Sequence, residues 1–177
     1  MASDEYSGVF GAFPYAFRHS DSRLFRSYVL FGGLLAVLTT LFFTLALIVV
    51  IAGTVGGTGG TLTFVRSLFV LLGLLIVAPL IAPILFVARR HRRTGSDTRY
   101  DAALAVTGYL FVFTLYLGAV ASMPAEFELD GETTTRPEPS GLTAPIVDVL
   151  YAMPEVLSWT IPFVGAALIY VVHRRLR

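Results

Sequence analysis

Cysteine is absent from this chain, and so are lysine, asparagine and glutamine. Without cysteine there is no disulfide, no thiolate metal site, no iron–sulfur cluster and no cysteine nucleophile. Without asparagine there is no acceptor for an N-linked glycan. All 13 basic residues are arginine. A thermophile that sheds Asn, Gln and Cys would be expected to gain lysine, so the arginine-only usage fits a GC-rich genome better. The acidic segment described below then suggests a salt-loving prokaryote. Charge is scarce too: 14% of residues against 55% hydrophobic, a balance outside the soluble norm.

What is there is long apolar stretches. No charged residue stands between Arg26 and Arg66, and further uncharged runs cover 67–88, 102–125 and 156–172. A hydrocarbon core about 30 Å thick takes roughly 20 apolar residues as a helix. A backbone group left unpaired there costs several kcal/mol, so such runs must be helical. The expectation is an all-α, polytopic membrane protein. Four transmembrane helices, at about 28–52, 65–88, 102–122 and 155–173, form a bundle. The run from Tyr28 is too long for a signal-peptide core of about 7–15 residues and is taken as a retained span. Residues 1–27 are an aromatic lead, 28–177 the membrane domain, and 123–154 an acidic outer segment.

Arginine placement sets the orientation. Arg18, Arg23 and Arg26 precede the first span. Arg89, Arg90, Arg92, Arg93 and Arg99 follow the second, and Arg174, Arg175 and Arg177 follow the fourth. Only Arg66 and Arg136 fall on the other side. The positive-inside rule makes both termini and the middle loop cytoplasmic, in a multi-pass protein of the cell membrane. The acids Glu126, Glu128, Asp130, Glu132, Glu138, Asp148 and Glu155 lie in the second outer segment. They either solvate that loop or form a negative cap.

The lead at 6–17 carries five aromatics. It is expected at the inner membrane face or packed as a plug under the helices. Gly32, Ala36, Thr40 and Thr44 recur every fourth residue in the first span, and Thr114, Gly118 and Ser122 do so in the third. Small residues at that spacing let another helix backbone approach, within the chain or between copies. Pro79 and Pro83 in the second span and Pro162 in the fourth remove backbone donors and predict kinks. The glycine-rich stretch 53–61 is a flexible connector. It lacks the lysine and the preceding strand of a phosphate-binding loop. The polar stretch 126–141 is expected to be loosely held. Residues 144–153 read as a short amphipathic surface helix stopped by Pro154.

The catalytic inventory is empty. The four spans hold no ionisable residue at depth; Asp101, Arg66 and Glu155 stand at span ends, where hydration can satisfy them. No nucleophile elbow and no metalloprotease helix is present. His19, His91 and His173 all fall at the inner boundary and lack metal-ligand spacing. No catalytic residue, metal or cofactor is assigned, and nucleic-acid binding is excluded by the short, membrane-held basic loop. Arg89, Arg90, Arg92 and Arg93 are expected to contact anionic headgroups of membrane lipids.

Residues 10–18 (Phe-Gly-Ala-Phe-Pro-Tyr-Ala-Phe-Arg), the first span and the stretch from Ala78-Pro79 through Ala82-Pro83 to Arg93 resemble an uncharacterised group of small membrane proteins of halophilic archaea. The resemblance implies compartment and architecture and no activity. The functional expectation is a non-enzymatic accessory or scaffold subunit, forming a homo-oligomer or joining another membrane protein. The alternative is a channel or uncoupled transporter lined by hydroxyls and shaped by the bent helices.

Overall fold

A serine starts the longest helix. Ser22 adopts an extended backbone and its side chain accepts from the Phe25 N–H at 3.2 Å, capping α2 (Arg23–Ala52). The span expected from Tyr28 therefore begins five residues earlier, because the cap, not the last arginine, sets its start. The computed structural model describes residues 8–53, 60–95, 97–129 and 131–177, without the side chains of 60–64, 69 and 129. Tyr6 of the lead, connector positions 54–59 and Asp130 lie outside the described residues.

The described elements are α1 (Gly8–His19), α2, α3 (Gly60–Leu74), α4 (Val77–Thr94), α5 (Thr98–Ala121), strands β1 (Glu126–Leu129) and β2 (Glu132–Thr135), α6 (Ala144–Ala152) and α7 (Thr160–Leu176), with 3₁₀ turns at Gly141–Thr143 and Glu155–Leu157. Four helical stretches are long and apolar enough to cross a membrane: Arg23–Ala52, Val65–Thr94, Thr98–Ala121 and Glu155–Leu176. In the apolar window of α2 only 6% of residues are buried by the rest of the protein. Leu34, Val37 and Phe42 are all at least 60% exposed. Water would penalise such a surface heavily, whereas lipid would not.

Two compact units divide the chain. The first comprises residues 1–109 and 169–177. In it α1 lies against α4 and α2, turning the fully buried Ala12 and Ala16 inward and leaving Phe10 91% exposed. The lead is thus a helix packed on the spans, with an aromatic edge open to its surroundings. Phe25, Tyr28, Leu80, Ile84 and Leu104 make the buried core.

The kink expected in the second span is a break. Helix α3 ends at Leu74, and Leu75 and Ile76 form a turn with short-range bonds (Leu75 N to Leu72 O at 3.1 Å, Ile76 N to Gly73 O at 3.1 Å) before α4 resumes. Pro79 has no N–H for the carbonyl one turn earlier, that of Leu75, so the ladder fails there. The Tyr28 hydroxyl donates to the Leu80 carbonyl at 2.7 Å, in the same loosened stretch, which Pro83 follows.

The second unit is residues 110–168. A Cβ on Gly118 would stand 2.9 Å from Pro162 Cδ, and one on Gly165 would meet the Thr114 side chain, so each glycine of α5 and α7 makes room for a side chain of the other helix here. Pro162 does not kink its helix, contrary to the sequence expectation. It sits in the first turn of α7, where a missing N–H costs nothing. The irregular backbone lies just upstream, where the 3₁₀ turn gives way to α7 at Ser158–Trp159.

The stretch expected to be loose contains an antiparallel hairpin pairing Glu126 with Thr135 and Leu129 with Glu132, with Gly131 at φ +85° in its turn. Asp-Gly between two β-forming runs is a strong short-range hairpin signal, and Phe127 and Leu129 alternate with glutamates. Arg136 secures the hairpin's exit. It donates to the carbonyls of Met123 (3.3 Å) and Tyr151 (3.4 Å) and stacks 3.9 Å over the Tyr151 ring. Helix α6 falls where the amphipathic pattern puts it, ending two residues before Pro154.

Candidate functional site

The densest polar chemistry lies where α1 ends, α2 begins, α4 ends and α5 begins. Asp101, in the first turn of α5, is fully buried. Its Oδ2 accepts from the Ser20 hydroxyl at 2.5 Å, and its Oδ1 accepts from His91 Nε2 at 2.9 Å. Ser20 is itself held: the Ser22 N–H donates to its hydroxyl at 3.2 Å and Arg26 Nε to its carbonyl at 2.7 Å. The local causes are plain. Gly95, at φ +90°, turns the chain sharply after α4. Asp97 then caps α5 by accepting from the N–H groups of Arg99 (3.0 Å) and Tyr100 (3.2 Å). This short reversal aligns the last turn of α4 with the first turn of α5, so His91 meets Asp101.

Sequence reasoning placed Asp101 at a hydrated span end and His91 among basic flanking residues. Both are buried, and the carboxylate is satisfied by protein donors instead of water. A buried carboxylate is tolerable only with such partners.

Serine, aspartate and histidine invite comparison with a hydrolase triad, but the order is wrong. A triad needs the histidine on the serine, ready to take its proton. Here both bond the aspartate, and Ser20 is 0% exposed. The cluster is a pin joining four helix ends. His91 Nδ1 has no partner among the described residues.

Beside the pin opens a pocket of about 400 Å³. Its walls are Arg89, Arg90, Arg93 and Thr94 of α4, and His173 and Arg177 at the far end of α7. Arg90 is committed. It donates to the Leu176 carbonyl at 2.6 Å, pairs with Asp97 at 3.0 Å, and lies 4.1 Å from the Tyr100 ring centroid. His173 bonds the Tyr100 hydroxyl through Nδ1 at 2.6 Å and stacks on Phe86 at 4.0 Å. Arg89, Arg93 and Arg177 make no ion pair among the described residues. The four arginines expected at headgroups thus divide: Arg89 and Arg93 line the pocket, Arg90 is spent on structure, and Arg92 lies outside the lining. Arg177, read from sequence only as tail charge, joins the set because α7 ends beside α4.

The three histidines do not converge. His91 is on Asp101, His173 on Tyr100, and His19 on the Tyr15 carbonyl at 2.9 Å. Among the described residues no cluster of three or more His, Asp or Glu is placed to hold a metal. The small-residue series of α2 also splits. Gly32 and Ala36 are buried, Gly32 under the Tyr28 ring, while Thr40 and Thr44 are exposed. Thr40 and Thr44 line an apolar groove with Val37, Leu41, Phe10 and Phe13. In the other series Thr114 and Gly118 pack within the chain, whereas Ser122 is exposed and its hydroxyl turns back to the Ala119 carbonyl at 2.9 Å.

Residues 1–177 match a family described as a domain of unknown function, DUF8056. No curated protein and no solved structure matches the chain.

Proposed function

We propose that this chain, which belongs to the DUF8056 family, is a non-enzymatic accessory or scaffold subunit of the cell membrane. Its arginine-rich end faces the cytoplasm and touches anionic headgroups, and it self-associates through the α2 face carrying Thr40 and Thr44. The observation that carries the proposal is the split of the small-residue series. The half of the stripe that the chain itself uses, Gly32 and Ala36, is buried, and the continuing half stays open at the spacing that lets a second helix approach.

The hydroxyls favour this over a channel. Thr40, Thr107 and Thr114 each donate to a carbonyl of their own helix, and Thr160 to that of Leu157 in the preceding 3₁₀ turn, at 2.6–3.0 Å. Hydroxyls so engaged relieve backbone acceptors and offer less to a passing solute.

The absence of cysteine makes the test clean. Thr44→Cys in native membranes is expected to form a cross-linked dimer on oxidation. Phe42→Cys, about 200° around the helix at 3.6 residues per turn, is expected to stay monomeric. Dimer from neither position, or equally from both, overturns self-association through this face. A Gly95→Cys variant is expected to resist a membrane-impermeant thiol reagent added outside intact cells; ready labelling reverses the orientation.

A further inference from the structure

We propose that the arginine-walled pocket is a selective site for a phosphate ester, with Arg89, Arg93 and Arg177 as its charge partners and His173 as a hydrogen-bonding wall. This deepens the headgroup contact proposed above, replacing diffuse attraction by one saturable site; only its lipid arm rests on that proposal.

Arginines near helix C-termini are ordinarily explained by the helix dipole, whose negative end they complement. That accounts for arginines scattered around a helix end. It does not account for their gathering on one cavity. Arg89 and Arg93 are four residues apart on α4 and so share a face, where like charges repel. Arg177 brings a third positive charge to the same cavity from the end of another helix. None of the three has an acidic partner among the described residues, although Asp97 lies close enough to pair with Arg90. The unrelieved charges and the relieved one are thus sorted. Arg90, tied to the Leu176 carbonyl, to Asp97 and to the Tyr100 ring, builds the wall and holds α7 to α4. It is a positioning residue. The free guanidinium groups supply the forked donors that match phosphate oxygens.

The other walls suit the same ligand. Thr94 adds a small side chain to the lining, its hydroxyl turned back to the Arg90 carbonyl at 3.2 Å. The Tyr100 hydroxyl fixes the His173 ring through Nδ1, and Phe86 stacks on its face, which leaves Nε2 as the ring's remaining polar atom. The cavity volume of about 400 Å³ falls within the range of small-molecule sites, roughly 300–1,000 Å³. Two sources share this chemistry: the phosphodiester of an anionic lipid headgroup and a free phosphate ester.

The full chain in uncharged detergent is titrated calorimetrically with inorganic phosphate, ionic strength held constant with sodium chloride. Saturable one-site binding is expected. The double variant Arg93→Gln, Arg177→Gln is expected to weaken it at least about tenfold, as befits the loss of charge-assisted hydrogen bonds. Arg99→Gln, at the same end of the protein but outside the pocket, is expected to leave it unchanged. Arg89→Gln serves as a second variant, and helical circular dichroism through a melt verifies folding. In parallel, native mass spectrometry from phosphatidylcholine nanodiscs containing phosphatidylglycerol is expected to show one retained phosphatidylglycerol per chain, displaced by phosphate and lost in the double variant. Phosphate binding without lipid retention assigns the site to a free ester; retention without phosphate binding assigns it to lipid; either supports the site. The proposal is overturned if neither probe binds, or if Arg99→Gln weakens binding as much as the pocket variants, which makes the effect diffuse charge. Cross-linking at position 44 reads self-association independently, so either idea can fail alone.

Discussion

Asp101→Ala is expected to be among the most destabilising single substitutions in this chain. The alanine would leave the Ser20 hydroxyl and His91 Nε2 buried with no acceptor, since that carboxylate is the acceptor described for each. An orphaned buried donor costs about 1–3 kcal/mol, and here two donors lose the same acceptor. The damage would spread, since the carboxylate is where the α1–α2 junction, the end of α4 and the start of α5 meet. Asp101→Asn should cost less: its amide oxygen still accepts one bond, while its NH₂ faces a donor. Ser20→Ala should cost least, leaving Asp101 its histidine. The order Ala, then Asn, then Ser20→Ala is read as midpoints of thermal unfolding in detergent. An Asp101→Ala midpoint equal to that of the parent chain would show that the pin bears no weight.

That pin also marks where sequence reasoning stops. The spans were legible because lipid imposes one rule along the chain: long uncharged runs must be helices, and no distant partner has to be known. A distortion of the second span was legible because Pro79 acts on its own backbone one turn away, although the break at Leu75–Ile76 goes beyond the kink that pattern suggested. The α6 boundary was legible for the same reason, through Pro154. Asp101 was not. Its meaning depends on Ser20, far away in sequence, and on a tight reversal through Gly95 that folds His91 back. Hydration at a span end was the natural default, and only the third dimension replaces that water with two side chains. Arg177 was misjudged likewise, because a tail charge becomes a pocket wall only once α7 is known to end beside α4. The hairpin was a different failure. Asp130-Gly131 and the alternation around Phe127 and Leu129 were on the page, but threonine, proline and acid content outweighed them.

Gly108→Ala carries the other large expected effect, through one aromatic ring. Tyr28 is fully buried and lies between glycines of two helices. A Cβ on Gly108 would overlap the hydroxyl end of the ring, standing 2.7 Å from the oxygen itself, whereas a Cβ on Gly32 would meet the ring at 2.9 Å. The ring cannot simply withdraw, because its hydroxyl is anchored on the Leu80 carbonyl at 2.7 Å and its edge packs on Tyr109 at 5.2 Å between centroids. Either α5 moves away from α2, or the Leu80 bond breaks in the stretch of α4 that Pro79 and Pro83 have already weakened. Overpacking costs about 1–3 kcal/mol, and an interhelical hydrogen bond in a membrane protein adds around 0.6 kcal/mol. Gly108→Ala should therefore lower the unfolding midpoint clearly more than Gly32→Ala. Tyr28→Phe alone should cost no more than the hydrogen bond. The decisive comparison is the double variant Gly108→Ala, Tyr28→Phe. Removing the hydroxyl relieves the closest oxygen contact and frees the ring to tilt, so the two losses should sum to more than the double variant shows. Residues in contact couple in this way, and independent ones add. Strict additivity would mean that the alanine is accommodated without disturbing Tyr28, and that the ring does not set the distance between α2 and α5.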